Sequence, residues 1–266
     1  MFDFTFISNI PDVISNLLFD HNTQSNILLD NNLEVSIEDL VKSPQTFIQP
    51  RYLYSSDNKK ALCKRNAEVF TPSWMCNIQN NLIDNQWFEQ DNVFNKVLTK
   101  KWITNTQKIY FPKNKSWKDY VSLKRLEICC GEAPYLVSRY DSVTGESIPI
   151  PDRIGLLDRK LRIINENACS KSEWEQSAII AYKNVYGYEK NGKNLLLARL
   201  NLFFTFVEYY IERFGQKPNK TILSMISDII SWNLWQMDGL NKEETQSTKL
   251  MDWNSNKIVS FASLSL

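Results

Sequence analysis

The stretch Leu126-Glu-Ile-Cys-Cys-Gly-Glu-Ala-Pro-Tyr-Leu136 decides the fold class of this chain. Its first residues are apolar and end at Gly131, the pattern of a buried parallel strand that feeds a tight turn. We expect a helix to begin just after this turn.

The sequence downstream repeats the alternation of strand and helix. Val185-Tyr-Gly-Tyr-Glu189 predicts a second strand, and residues 194–214 predict a long helix that is apolar on most sides and ends at Gly215. A further helix over 222–230 and a strand over 233–240 follow. This order is typical of an α/β protein with a doubly wound parallel sheet and helices on both faces. Residues 250–262 predict a hairpin.

Upstream of the motif, the sequence predicts a mostly helical amino-terminal extension over residues 1–60, with a helix begun near Pro11. The remainder, 61–266, is predicted as one domain with insertions at 95–125 and 141–175, the second carrying a helix around 154–165. Thr71-Pro72 is a strong helix start, since proline at the first helical position loses no hydrogen bond. Trp74, Ile78 and Leu82 are expected to form the apolar face of that helix.

The composition of the chain limits the classes of function that it can have. The chain is 43% hydrophobic and 23% charged, with a net charge of +1, so any nucleic-acid binding requires a local patch rather than global attraction. The five cysteines lack Cys-x-x-Cys spacing and are expected to be free thiols in the cytoplasm. No apolar run is long enough for a membrane span. The only histidine, His21, is expected at the surface, and no metal site is predicted.

Three acids follow or end the predicted strands beside small loop residues. Gly131 and Ala133 keep the first loop small enough for a cofactor to approach the backbone. Glu127 can face the charged part of such a cofactor, and Glu189 at the end of the next strand can accept both hydroxyls of a ribose. Asp238 can accept from an adenine amino group. The alternative for each acid is a helix cap or a solvated side chain.

These motifs together resemble the Class I S-adenosylmethionine-dependent methyltransferases, in particular the adenine-N6 DNA methyltransferases of restriction-modification systems, whose modification subunits are labelled subunit M. Phe70-Thr71-Pro72 is similar to the Phe-Thr-Pro segment that closes over the cofactor in that family. Residues 127–136 align with its Asp-Pro-x-Cys-Gly-x-Gly-x-Phe-Leu motif, and residues 186–189 with its aromatic-Gly-x-Glu strand. The resemblance covers roughly residues 60–240 and implies a Rossmann-like sheet that binds S-adenosylmethionine.

The chain departs from the family pattern in ways that concern catalysis. Ala133 replaces a glycine and Ile128 a proline. The Asn/Asp-Pro-Pro-aromatic segment that holds the reacting amine is absent, since the sequence contains no Pro-Pro. One degenerate match, Glu132-Ala-Pro-Tyr135, overlaps the cofactor loop. The carboxyl-terminal half of the family's sheet is expected to be incomplete, and catalytic residues stay unknown.

Residues 95–125 are rich in lysine and contain interleaved aromatic residues, with Asp119 the only acid. Lysines can neutralise phosphates and exposed aromatic rings can stack on bases, so this segment is the best DNA-binding candidate. The alternative is a solvated face whose aromatic rings point into the core. The candidate contacts are Lys100, Lys101, Lys113 and Lys115.

Three hypotheses remain open at this point. The first is an adenine-specific DNA methyltransferase, or its S-adenosylmethionine-binding subunit, with a partner chain supplying catalytic or recognition parts. The second is a non-catalytic binding protein of the same fold, acting in restriction or phage conflict. The third is a methyltransferase for another substrate, which the Phe70-Thr71-Pro72 segment disfavours.

Overall fold

A computed structural model describes residues 2–29, 34–58, 60–61, 71–239 and 241–263. The fold is mixed α/β, about 50% helical, with small sheets. The helices are α1 (Phe4–Ile7), α2 (Pro11–Leu18), α3 (Ile37–Lys42), α4 (Pro44–Phe47), α5 (Ser73–Phe88), α6 (Trp117–Val121), α7 (Leu156–Asn167), α8 (Lys171–Lys183), α9 (Gly192–Phe214), α10 (Lys220–Asn233) and α11 (Lys242–Ser247). The strands are β1 (Phe19–Asp20), β2 (Ser25–Asn26), β3 (Asn95–Leu98), β4 (Lys101–Thr104), β5 (Arg125–Ile128), β6 (Val185–Glu189), β7 (Leu234–Gln236), β8 (Lys249–Asp252) and β9 (Lys257–Ser260).

The chain forms two compact units. The sheet unit comprises residues 1–49, 124–133 and 185–266, and the helical unit comprises residues 50–123 and 134–184. These bounds differ from the expected division at residue 60. The amino-terminal segment belongs to the sheet unit because the apolar face of α2 packs on α10 and α9.

A parallel sheet of β5, β6 and β7 lies at the centre of the sheet unit, with β6 in the middle. The predicted order of strand, helix, strand, helix, strand is therefore confirmed. Helix α9 begins at the Asn191 cap, whose side chain accepts from two backbone N–H groups of the first turn, and it ends at Gly215 with φ 66°. Nearly all of its residues are buried, because it packs against β6, β7, α2 and α10.

The fully buried Arg199 of α9 forms hydrogen bonds with the backbone of neighbouring helices and strands. Its guanidinium donates to the backbone carbonyls of Leu17, Phe19, Ser231 and Leu234 at distances of 2.6–3.3 Å. Burial lowers the pKa of Arg199 to about 10, which leaves the group charged at neutral pH. A buried charge is tolerated here because several carbonyl dipoles replace its hydration.

One face of the sheet packs against the carboxyl-terminal hairpin of β8 and β9, which confirms the hairpin predicted over 250–262. The sheet contributes Tyr186, Tyr188, Trp235 and Met237 to this cluster. Leu250 and Phe261 pack from the other side. The expectation of helices on both faces is therefore wrong for this face, because apolar residues of the hairpin and Phe261 just after it cover it.

His21 is not the plain surface residue that its polar surroundings predict. Its ring stacks on Trp232 with centroids 3.6 Å apart, and Nε2 lies 2.9 Å from Ser231 Oγ. Because the Ser231 hydroxyl donates to the Asp228 carbonyl, Nε2–H of His21 is the donor in this bond. Burial, then the nearby Arg199 charge, lower the pKa of His21 to about 4 despite the opposing effect of Asp20.

We expect the free energy of unfolding to fall by about 1–2 kcal/mol through His21 alone as the pH drops from about 6.5 to about 4. The unfolded chain takes up a proton at the ordinary pKa while the folded ring resists it. The stabilising effect is complete above pH 6.5 and is lost through this window. Denaturation of wild type and His21→Phe at pH 7 and pH 4.5 measures the difference. Identical pH dependence of the two proteins would contradict the assignment.

Helix α5 of the helical unit buries a polar face. Its buried positions include Asn77, Asn80, Asn81 and Asp84, whereas Leu82 is 67% exposed. The expected apolar face of Trp74, Ile78 and Leu82 is therefore wrong: Trp74 and Ile78 are only half-buried. The reason is a buried cation on α7, Arg159, which requires polar partners.

Arg159 is 1% exposed and occupies the centre of this network. Its guanidinium donates to Asp84 Oδ2 at 2.6 Å, to Asn77 Oδ1 at 2.9 Å and to Asn81 Oδ1 at 2.7 Å. Tyr120 donates its hydroxyl to the other Asp84 oxygen at 2.9 Å. The terminal nitrogens of Arg159 and both oxygens of Asp84 thus have hydrogen-bond partners, whereas the buried Arg159 Nε has none among the described residues.

The segment after β5 contradicts one further expectation. Residues 131–139 form turns, and no helix begins after Gly131. Pro134 has no N–H to donate, and it restricts the preceding residue away from the right-handed helical region. The helices between β5 and β6 are α7 and α8 instead; α7 confirms the helix predicted around 154–165.

Within the part of the chain that the structure describes, none of the helices combines the length and apolar character that crossing a membrane requires.

Candidate functional site

The candidate site is the edge of the sheet where β5, β6 and β7 end, which we call the strand tips. The three strands are parallel, so their carboxyl ends and the segments that follow meet at one edge. These segments are residues 129–133, 190–191 and 237–239.

The first loop has an unusual backbone. Cys129, Gly131 and Ala133 have φ values of 53°, 54° and 63°, all in the left-handed region. This region favours glycine, and the other two residues carry a strain of about 1–2 kcal/mol each. The loop is held by Cys130 N–H donating to Tyr188 O at 2.8 Å and by Ala133 N–H donating to Cys130 O at 2.7 Å. The Ala133 methyl is fully buried within this turn.

Glu189 connects the first two loops. Its Oε2 accepts from Gly131 N–H at 2.8 Å, and its Oε1 accepts from Asn191 N–H at 2.9 Å. The carboxylate therefore lies between the turn after β5 and the cap of α9. The structure brings Gly131 and Glu189 together as the sequence predicts.

Asp238 lies at the third tip and is paired with a residue that the sequence reasoning missed. Lys190 Nζ donates to Asp238 Oδ2 at 2.7 Å, and this bond raises the pKa of Lys190. The Asp238 N–H donates to Glu244 Oε2 at 2.6 Å. The signal for Lys190 was its position directly after the Glu189 strand end, opposite in charge to both acids.

Electrostatics show that the tips converge. Partial burial, followed by the charges of Glu189 and Asp238, raises the pKa of the Cys129 thiol. Burial and then the charges of Glu127 and Glu189 raise the pKa of Cys130 well above its usual value. Glu127 itself is 8% exposed and lies within β5, beside Gly187 of β6. The tips therefore present an acidic surface of hydrogen-bond acceptors.

The Phe70-Thr71-Pro72 segment belongs to the helical unit, and Phe70 lies outside the described residues. Helix α5 begins next to the predicted start, but Pro72 is its N-cap rather than its first residue, and the Thr71 side chain does not cap the helix. The cap is Asp141, whose Oδ2 accepts from Ser73 N–H at 2.7 Å. Thr71 uses its carbonyl to accept from Ser142 Oγ at 2.7 Å.

Part of the basic segment 95–125 is exposed, as a DNA-binding surface requires, and part of it has structural contacts. Lys115 donates to Trp87 O at 2.6 Å and to Glu89 at 3.1 Å, so its ammonium has structural partners. Tyr120 is buried in an aromatic cluster with Phe88 and Phe94. Tyr110 is 80% exposed. Lys100, Lys101 and Lys113 are exposed as well.

No protein-family model, curated protein or solved structure matches this chain.

Proposed function

We propose that the protein binds S-adenosylmethionine at the strand tips and is of the adenine-N6 DNA methyltransferase type, acting in DNA modification or restriction. In this proposal a partner chain supplies the catalytic and recognition parts.

The position of Glu189 is the single observation that carries the proposal. Each of its carboxylate oxygens accepts one backbone N–H, from Gly131 and Asn191. An ionised carboxylate offers about four acceptor positions, so two remain for the hydroxyls of a ribose. In this proposal a ribose therefore hydrogen-bonds to Glu189 without releasing either loop.

Charge favours this ligand over a dinucleotide. A phosphate-bearing cofactor requires donors such as a helix N-terminus after the first strand, and no helix begins after Gly131. The tips carry Glu189, Asp238 and Glu244, with Lys190 as a counter-ion. S-adenosylmethionine has a sulfonium cation and no phosphate, which suits an acidic surface.

The size of the sheet supports the proposal that the protein is one subunit of a methyltransferase. In the described part of the chain, β5, β6 and β7 correspond to one of the two halves from which a doubly wound sheet is built. A partner chain that supplies further strands and the Asn/Asp-Pro-Pro-aromatic segment would complete the site.

A non-catalytic binding protein in restriction or phage conflict is the second candidate. The sequence lacks Pro-Pro, and in the degenerate segment 132–135 both Glu132 and Ala133 are buried. A flipped base needs acceptors that it can reach. These two residues do not offer them.

Titration calorimetry with S-adenosylmethionine tests cofactor binding, and absence of binding at millimolar ligand would reject it. Transfer of a labelled methyl group to unmethylated DNA, with and without the neighbouring gene products, then separates the candidates. Methyl transfer that occurs only when the neighbouring gene products are present supports the subunit hypothesis. Binding without transfer under either condition supports the non-catalytic protein.

Lys190→Met is expected to strengthen S-adenosylmethionine binding about 2–5-fold at low salt, because it removes a positive charge from the tips. Since the Lys190–Asp238 pair is largely exposed, unfolding should change by less than about 1 kcal/mol. Calorimetry should show a smaller gain for S-adenosylhomocysteine, which lacks the sulfonium charge. Lys249→Met, at an exposed position of β8, is the matched control. Equal gains for both ligands would contradict the electrostatic explanation.

A further inference from the structure

Strand β4 of the helical unit has an edge whose backbone groups are unpaired. The next residue after the strand, Asn105, donates its N–H to Phe94 O across the hairpin at 2.9 Å. Hydrogen-bonded and non-hydrogen-bonded positions alternate along an antiparallel pair, so Trp102 and Thr104 occupy non-hydrogen-bonded positions. Their backbone N–H and C=O groups therefore point away from β3. No residue that the structure describes forms a hydrogen bond with these groups.

A groove with a volume of about 980 Å³ lies along this edge, and we call it the hairpin groove. All residues of β4, Lys101–Thr104, line it. Successive side chains of a strand point to opposite faces, so a groove over one face would contact only alternate residues. Contact with all of them indicates that the groove follows the unpaired edge. The lining residues all belong to the helical unit.

The side chains beside the edge are fixed on one face of β4. The Trp102 indole N–H donates to Asp152 O at 2.9 Å, and the Thr104 hydroxyl donates to Asp152 Oδ1 at 2.6 Å. On the other face Ile103 is 58% exposed. Trp74, which is half-buried, and Val143, which is 37% exposed, also line the groove. Apolar surface therefore accompanies the unpaired backbone groups.

The charges of the hairpin groove nearly cancel. Three carboxylates, those of Asp141, Glu146 and Asp152, and the ammonium groups of Lys100 and Lys101 line it. A polyanion would meet the carboxylates and a polycation would meet the lysines. The groove therefore suits an occupant that is held by hydrogen bonds and apolar contacts.

We propose that the hairpin groove binds an extended, uncharged segment of another protein chain, which adds to β4 as a third strand. An extended peptide directs an N–H and a C=O to the same side at every second residue, about 6.6 Å apart. Trp102 and Thr104 present their own groups at this spacing, and backbone pairing at a sheet edge is an established mode of peptide recognition. Apolar side chains of the peptide would lie beside Trp102 and Ile103. This inference does not rest on the proposed function.

Phage display on the full chain, with random uncharged peptides of about seven residues, supplies the probe, and fluorescence anisotropy of the labelled peptide measures its affinity. Thr104→Pro removes an outward N–H without removing a hydrogen bond to β3, and proline is tolerated at such an edge position. It should weaken peptide binding about 10-fold or more. Thr104→Val is the matched control. It loses the same hydroxyl bond to Asp152 but keeps the N–H, so affinity should change less than about 3-fold.

A scan of N-methyl groups along the peptide tests the mode of binding on the wild-type protein, and so does not depend on the folding of a variant. Strand addition directs every second N–H of the peptide to β4. Methylation should therefore weaken binding about 10-fold at alternate positions and less than about 3-fold between them. Losses at consecutive positions, or at none, would overturn the proposal.

Three further results would also overturn it. One is an affinity that falls about 10-fold between about 50 mM and about 500 mM salt, because an uncharged segment should lose less than about 3-fold. Another is a selection in which no peptide is enriched on wild type over Thr104→Pro. The third is a wild-type dimer, seen by sedimentation without peptide, that Thr104→Pro converts to a monomer, because the edge would then pair with a second copy of this chain.

Discussion

Asp84→Ala is expected to lower the free energy of unfolding by about 3–5 kcal/mol, the largest effect that we predict for this protein. Asp84 and Arg159 are each about 1% exposed, with 2.6 Å between Oδ2 and the guanidinium nitrogen. Removing the carboxylate leaves a buried cation with only neutral amide acceptors and removes the acceptor of the Tyr120 hydroxyl. Chemical denaturation followed by circular dichroism measures the loss.

Asp57→Ala is the matched control, since Asp57 is exposed in the same unit, and a change below about 0.5 kcal/mol is expected. The double variant Asp84→Ala/Arg159→Met should recover part of the stability, because it removes the stranded charge as well. A loss for Asp84→Ala as small as that of the control would show that the pair is not buried as described.

Glu189→Ala is expected to weaken S-adenosylmethionine binding by about 1–3 kcal/mol, the largest effect on binding. The ribose hydroxyls would lose a charge-assisted acceptor. The N–H groups of Gly131 and Asn191 would lose the carboxylate that links their two loops. Calorimetry measures the affinity, and thermal unfolding without ligand reports the part of the effect that belongs to the fold.

Glu189→Gln separates charge from shape, because its amide keeps one acceptor oxygen, and we expect an intermediate affinity. Glu243→Ala removes an exposed carboxylate from the same unit and should leave affinity within about 2-fold. Wild-type affinity in Glu189→Ala would reject the sugar-binding role of this residue.

Local patterns were sufficient for the parallel strands and the long helix of the sheet unit. The apolar run before Gly131, the Val185–Glu189 strand and the long helix ended by Gly215 were each predicted and are present. Parallel order then placed Gly131, Glu189 and Asp238 at one edge, because parallel strands end on the same side. These predictions hold since burial and backbone preference act within a few residues of the chain.

Long-range contacts decided what the sequence left open. The face that α5 buries is polar because Arg159, some 75 residues away, needs Asp84 and two asparagines. Asp141 caps the same helix from outside its own segment. Neither partner can be recognised from the periodicity of the helix.

The sequence by itself therefore determined which segments form the three parallel strands and that Glu189 and Asp238 lie at their ends, since these follow from local hydrophobic pattern and strand direction. Only the tertiary structure decided that Lys190 pairs with Asp238, that Glu189 joins two loops and that turns replace the helix after Gly131. The physical reason is that a buried or converging polar group acquires its role from partners that lie far away in the sequence.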